Sequence, residues 1–567
     1  MVTDKLLVKD MFEDIKKNTM ESIKNVIDSC NFPLEFFMYY DEVCIKEKLI
    51  FEIESKYGEK HDHVHIEYKH LVITVFDIII REQFKNKRLL PEINSDERIV
   101  KRNIGILHKN IDLLIDYYEL YVAKNALFSD RYNVKILQNT YEFYNKEFNL
   151  DYNIQGYYEK NNVYKYKGSL NMEQYIGKPI NSKMIKEIYQ WFASNLDTLI
   201  ESDKLGEYTV CDFLYVWSII YFSSYTTCYI KAERAKQDFK KYIDENSHDI
   251  KSYSESILDY IKNSIEEREE FLTLIHCIEY SSFVDMILSV TSLQKEIVEC
   301  IINDLIYNDK KINYTMMQYP LLMNDNGIII PGYYILNECN VEIIMKKKSQ
   351  LLYKNTYVLT HKKIIEPRIC LKVKEMLEIN KNFIVICNSD TLNEVGTGNQ
   401  SQIDIFIYDK KNRDIMIIEI KDHISKLDNV EVTNQVKLET NAFKKNATKK
   451  NAIDQLENQE KLIRIQRNLD LFLTNVKVED INNVYLGYCE TYYLGTPRFI
   501  RDLESRRIAY IPFKLLHKMN KWKSVKKMYY HFEKARYLYK RSNYSYYIKD
   551  VNNFGYKIKI PMLKHKN

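Results

Sequence analysis

A chain of 567 residues with 45 % hydrophobic and 29 % charged side chains can bury a sizeable core, which excludes wholesale disorder. Its 10 cysteines are scattered singly with no Cys-x-x-Cys pair, which excludes a zinc framework and fits reduced thiols in the cytoplasm. A formal net charge of +4 is too small to imply a nucleic-acid partner by itself.

The N-terminal stretch MVTDKLLVKDMFEDIKK carries acids inside its apolar pattern and so is not a secretory signal. Met11, Ile15, Met20, Ile23 and Ile27 recur at helical spacing, and NIGILHKNIDLLIDYYELYVA and SSFVDMILSVTSLQKEIVECIINDLI repeat the theme. This pattern predicts a large, mostly α-helical region over residues 1–310, for substrate recognition, regulation or assembly. It could also mediate a homo-oligomer or hold a protein partner. The segment HDHVH sets His61, His63 and His65 at alternate positions, read as an exposed loop with zinc binding as the sharper alternative. Val210 to Ile230 is apolar and aromatic but carries Asp212 and several Ser and Thr. A buried helix is predicted there, not a membrane span.

Residues 311–355 change texture, with the turn signal NDNG and a break at Pro331 and Gly332, and read as a boundary zone. From 356 to 520 the pattern is mixed α/β. KIIEPRICLKVKEMLEI predicts a helix, FIVIC at 383–387 a buried strand, and QIDIFIYD and DIMIIEIK two strands around the turn Lys410–Arg413. A helix near 448–468, the strand VYLGYCE, the strand IAYIPF and the helix KLLHKM follow, which predicts a mixed sheet flanked by helices.

The chemistry lies on the two central strands. If the turn centres on Lys411–Asn412, residues whose numbers sum to 823 are paired, and Asp404 lies across from Glu419. Strand alternation puts Glu419 and Lys421 on that same face. Two carboxylates on neighbouring strands suit a hard divalent cation such as Mg²⁺. An ammonium beside them can orient an attacking water or stabilise charge on phosphate. The alternative is a cross-strand ion pair on a solvated sheet face. The apolar run IMIIEI argues for a central strand instead.

Asp404 followed in the next strand by Glu419-Ile420-Lys421 resembles the PD-(D/E)xK, or restriction-endonuclease-like, nuclease superfamily over about residues 360–520. The resemblance implies a Glu in the preceding helix, for which Glu366 is the candidate. Glu375 stands as a fallback because Pro367 follows Glu366 directly. It also implies a Gln in the following helix, for which Gln455 is the candidate. Ile403 stands where the family often has Pro. By resemblance, Asp404, Glu419 and the Ile420 carbonyl would hold Mg²⁺ or Mn²⁺, and Lys421 would position the nucleophilic water. Phosphodiester hydrolysis would leave a 5′-phosphate.

Residues 521–567 form a basic, aromatic extension with 13 Lys and Arg against Glu533 and Asp550, the pairing needed for phosphate contact and base stacking. The expectation is a Mg²⁺-dependent nuclease acting on DNA, similar in architecture to restriction and anti-phage defence proteins. Two alternatives stay open: a catalytically inactive nucleic-acid-binding protein of the same fold, and an interaction protein whose helical region is the working surface.

Overall fold

The computed structural model describes residues 2–24, 110–128, 132–145, 170–226, 277–308, 318–352, 364–422, 452–491, 497–516, 522–533 and 544–565, with a few gaps inside these ranges, and three single positions, 98, 102 and 106. The histidines of HDHVH lie outside the described residues.

Helix α1 (Val2–Ser22) turns Val8, Met11, Phe12 and Ile15 inward at helical spacing and packs on α2 (Ile111–Phe128). Phe12 stacks on Tyr117 at 5.3 Å between ring centroids. The hairpin β1 (Asn133–Leu137) and β2 (Thr140–Tyr144) follows, its turn closed by Gln138 in the left-handed region at φ 54. Helix α3 (Ser182–Ser194) is capped by Asn181, whose side chain accepts from the Met184 amide at 3.1 Å. Residues 210–226 are helical and bury Phe213, Trp217 and Ile220 completely. Among the described residues no helix is long and apolar enough to cross a membrane.

Next come β3 (Cys277–Ile278), α4 (Tyr280–Val290), α5 (Lys295–Leu305), β4 (Leu322–Asn324) and β5 (Gly327–Ile329), the strands forming a small sheet in the order β3-β5-β4. Gly327 sits at φ +148, where an added Cβ would meet the Ile278 carbonyl oxygen at 2.2 Å. Helix α6 (Val341–Leu352) leads to α7 (Glu366–Glu378), which buries Ile369, Val373 and Leu377 against β6 (Phe383–Cys387). The short hairpin β7 (Leu392–Glu394) and β8 (Asn399–Ser401) precedes β9 (Ile405–Asp409) and β10 (Asp414–Lys421). Helix α8 (Ala452–Ile463), β11 (Asn483–Glu490), α9 (Pro497–Ser505), β12 (Ile508–Pro512) and α10 (Val525–Glu533) complete this part.

The central sheet has the order β12-β11-β10-β9-β6. β9 runs antiparallel to both of its neighbours, β6 and β10, whereas β10, β11 and β12 run parallel. β10 is buried on both faces from Asp414 to Ile420, as a central strand must be. The last elements, β13 (Tyr544–Asn553) and β14 (Tyr556–His565), form a hairpin, and β14 pairs in parallel with β2.

These pairings correct the expected fold class. Among the described residues the protein is mixed α/β, not a large helical N-terminal region followed by an α/β core. Within the first 310 residues β1, β2 and β3 are strands, and β1-β2-β14-β13 is one four-stranded sheet. The physical reason is non-local. β1 and β2 are only five residues each, and the partner that completes their sheet is supplied by the C-terminal hairpin. A window on the sequence shows the strand's own alternation but not the partner that stabilises it.

The two apolar cores also ignore chain order. One runs from α3, residues 210–226, α4, α5 and α6 through the central sheet to α10. The other joins α1 and α2 to the four-stranded sheet, with Tyr307, Tyr319, Leu322 and Ile329 beside them. The 521–567 segment therefore divides between both cores. Met528, Tyr529 and Phe532 of α10 are buried in the first, and Val551, Ile558 and Ile560 of the hairpin in the second.

Candidate active site

The β9–β10 connection sets the register. The Asp409 carboxylate accepts from the amides of Lys411 and Asn412 at 3.1 Å each, and from the Asn412 side chain at 2.7 Å. Arg413 takes the left-handed region at φ 53 and donates its amide to the Asp409 carbonyl at 2.8 Å. Asp414 then pairs with Asp409 and Ile418 with Ile405, so paired numbers sum to 823 as the sequence predicts.

Asp404 lies one residue before β9, in a bend, where the next pair would fall. Its Oδ2 accepts from the Ile420 amide at 2.8 Å, which ties the entry of β9 to the strand carrying Glu419 and Lys421. Glu419 is 2 % exposed. Its Oε1 accepts from Lys421 Nζ at 2.6 Å, and its Oε2 accepts from Gln459 Nε2 at 3.1 Å. Gln459, on α8 and fully buried, also donates to the Gln402 carbonyl, which leads into Asp404. The Lys421 side chain is 25 % exposed, so its ammonium bridges interior and solvent.

The electrostatics follow from two carboxylates in one poorly solvated place. Burial pushes the Asp404 carboxyl up to about 8 from 3.8, and the Glu419 charge pushes the same way. Lys421 and the Ile420 amide oppose the rise, while Glu366 adds to it. Glu366 opens α7 with Pro367 behind it and is half-buried, so it belongs electrostatically to the cluster. Glu375 is exposed on the same helix. Burial, then the Asp404 charge, likewise pushes the Cys370 thiol up, so it packs as an apolar group without reactivity.

Six of the sequence-level candidates thus fall as follows. Asp404, Glu419 and Lys421 converge, and Glu366 stands within electrostatic reach. Gln455 is half-buried one turn away from the site, and Gln459 occupies the place expected for it. Ile420 presents its amide to Asp404.

Sequence reasoning also missed the support behind the strand. Asp422 follows Lys421 and accepts from Lys346 of α6 at 2.7 and 2.9 Å and from the Thr491 hydroxyl. Sequence signals for it existed in Asp422, at the end of a predicted strand, and in the lysine run of α6. Neither names its partner.

Two carboxylates, with Glu366 nearby, are oxygen donors of the kind a hard divalent cation takes, and burial beside the Glu419 charge, which raises the Asp404 carboxyl, disfavours further negative charge there. Among the described residues no group of three or more His, Cys, Asp or Glu side chains is assembled as an ion-holding cluster. The chain matches no protein-family model, and no curated protein or solved structure similar to it was found.

Proposed function

We propose that this protein is a Mg²⁺-dependent nuclease of the PD-(D/E)xK kind, hydrolysing phosphodiester bonds in DNA. The observation that carries the reading is the opposition of Asp404 and Glu419 on adjoining chain segments with the Lys421 ammonium 2.6 Å from Glu419. Asp404 and Glu419 are the residues that would hold Mg²⁺ or Mn²⁺, which when bound supplies Lewis-acid polarisation of a phosphate oxygen. The Lys421 Nζ, at the end of a partly exposed side chain, orients a water toward phosphorus and balances negative charge growing on the phosphate oxygens. Attack by that water forms a new P–O bond and breaks the one to the leaving sugar oxygen; the water gives up a proton to solvent and the leaving oxygen takes one up from solvent. Gln459 holds Glu419 in one rotamer, so its carboxylate meets the substrate without reorganising. Exposed Lys523, Lys526 and Lys527 on and before α10 offer phosphate contacts, whereas Tyr529 is used in the core.

A non-catalytic, nucleic-acid-binding reading has one observation in its favour. Both Glu419 oxygens are already engaged, by Lys421 and Gln459. Purified protein decides between them. With Mg²⁺ or Mn²⁺, wild type is expected to cleave DNA and Lys421→Ala to be at least 100-fold slower. Wild type and Lys421→Ala equally inert on single-stranded DNA, double-stranded DNA and RNA would sink the enzyme reading.

A further inference from the structure

We propose that Lys346 is a positioning residue for Lys421, acting through Asp422 from the opposite face of the central strand. The inference deepens the nuclease reading and rests on it. Strand alternation sends the side chains of Lys421 and Asp422 to opposite faces of β10. Lys421 meets Glu419 on one face, and Asp422 meets Lys346 on the other. The pair closes with two hydrogen bonds, at 2.7 and 2.9 Å, and both side chains are 0 % exposed.

Thr491 completes the clamp. Its amide donates to the Lys421 carbonyl at 3.1 Å, and its hydroxyl donates to Asp422 Oδ1. The backbone of Lys421 is therefore fixed by its neighbour's side chain and by the residue just past β11. β10 ends at Lys421, so the anchor falls where the strand leaves the sheet.

Helix α6 is itself held at three further points. Glu342 accepts from the amides of Asp197 at 2.7 Å, Thr198 at 2.7 Å and Leu199 at 2.9 Å. Lys348 pairs with Asp304 of α5 at 2.7 Å and donates to the Tyr208 hydroxyl at 3.1 Å. Lys346 thus projects from a helix bonded to three other parts of the chain, which gives Asp422 a rigid partner. A dry ion pair adds little net stability over apolar side chains of equal volume, because desolvation offsets the attraction. Its geometric demand is strict, and strictness is what a lysine at a reacting centre needs.

The test replaces the pair without stranding a charge. Lys346→Met with Asp422→Asn keeps the volume and leaves an amide oxygen for the Thr491 hydroxyl. Two readouts apply: single-turnover DNA cleavage against DNA affinity, and hydrogen exchange at the Ile420, Lys421 and Asp422 amides. The expected result is cleavage at least tenfold slower, affinity within twofold of wild type, and exchange at those three amides at least tenfold faster with β12 unchanged. Cleavage within twofold of wild type, or unchanged exchange at the three amides, overturns the inference and leaves the nuclease reading standing. A wild type inert on every nucleic acid overturns the nuclease reading and this inference together. Should the double variant not fold, Thr491→Val removes one hydroxyl only and must slow cleavage in the same direction; an unchanged rate counts against the clamp.

Discussion

Gln459 and Glu419 stand 40 positions apart in sequence, and the Gln459 amide nitrogen reaches the Glu419 carboxylate at 3.1 Å while also serving the Gln402 carbonyl. One buried amide therefore spans the loop that delivers Asp404 and the strand that delivers Glu419. Replacing it with Ala removes the donor from a buried carboxylate oxygen and from the Gln402 carbonyl. Gln459→Ala is expected to destabilise the protein by about 1–3 kcal/mol and to slow cleavage at least tenfold, read from the urea midpoint and the single-turnover rate. Gln455→Ala is expected to leave both within twofold or within error, and a larger loss there than at position 459 would reverse the assignment.

Asp404 gives the protein a pH dependence whose sign is fixed. Its carboxyl is pushed up to about 8 in the fold and titrates near 3.8 without it. Between those values the folded state holds a proton that the unfolded state has lost. The contribution of this group to stability is thus full below about 4 and is lost as pH rises toward about 8. Each unit of pKa difference is worth about 1.4 kcal/mol. Metal-free Asp404→Asn is expected to gain Tm over wild type as pH goes from 5 to 8; an offset that is the same at both pH values would contradict the buried proton.

Divalent cations should displace that proton. Titrating Mg²⁺ into the protein at pH 7, in two buffers with different ionisation heats, is expected to show release of about one proton per ion bound. Asp404→Asn should bind more weakly and release none. Binding without proton release in wild type would place the ion elsewhere.

Glu342 holds three amides and the Thr198 hydroxyl with one buried carboxylate. Glu342→Ala orphans all four donors, and the expected cost is on the order of 3 kcal/mol. Glu342→Gln, which keeps one acceptor, should lose less. Chemical denaturation of both variants checks the order.

Gly327 gives a test of the small sheet. A Cβ there would press into the Ile278 carbonyl at 2.2 Å, and the contact is backbone, so no side chain can swing aside. Gly327→Ala is expected to lower stability by about 2 kcal/mol or more, whereas Gly555→Ala, with open space around it, should pay only the strain of its φ of +83.

What the sequence revealed, and what it hid, follows from the range of each interaction. The β9–β10 register was readable because a short polar turn fixes it locally, and the sum of 823 carries Asp404 to Glu419. Gln455 and Gln459 are four apart on one helix and share a face, so periodicity cannot choose between them. The choice depends on how far α8 slides along β10, which is a tertiary quantity. Lys346 and Lys348 look like a solvated run in MKKKSQ, yet both are buried against acids 76 and 44 positions away, Asp422 and Asp304. Short β1 and β2 were lost in an otherwise helical stretch because their partner strand lies near the other end of the sequence.

That pairing has a consequence for how the molecule is made. Asn553 bonds Asp116 across 437 positions, and Tyr556 bonds Asp14 across 542. During translation, α1, α2, β1 and β2 leave the ribosome with the apolar side chains of Phe143 and Tyr141 uncovered by β14, hundreds of residues before that strand exists. The core around α1 and α2 therefore closes only after β14 has been made, and long-range closure of this kind is slow and prone to aggregation on the way. A stop codon just before Tyr544 would remove β13 and β14 and leave β2 and the core beside it without their cover.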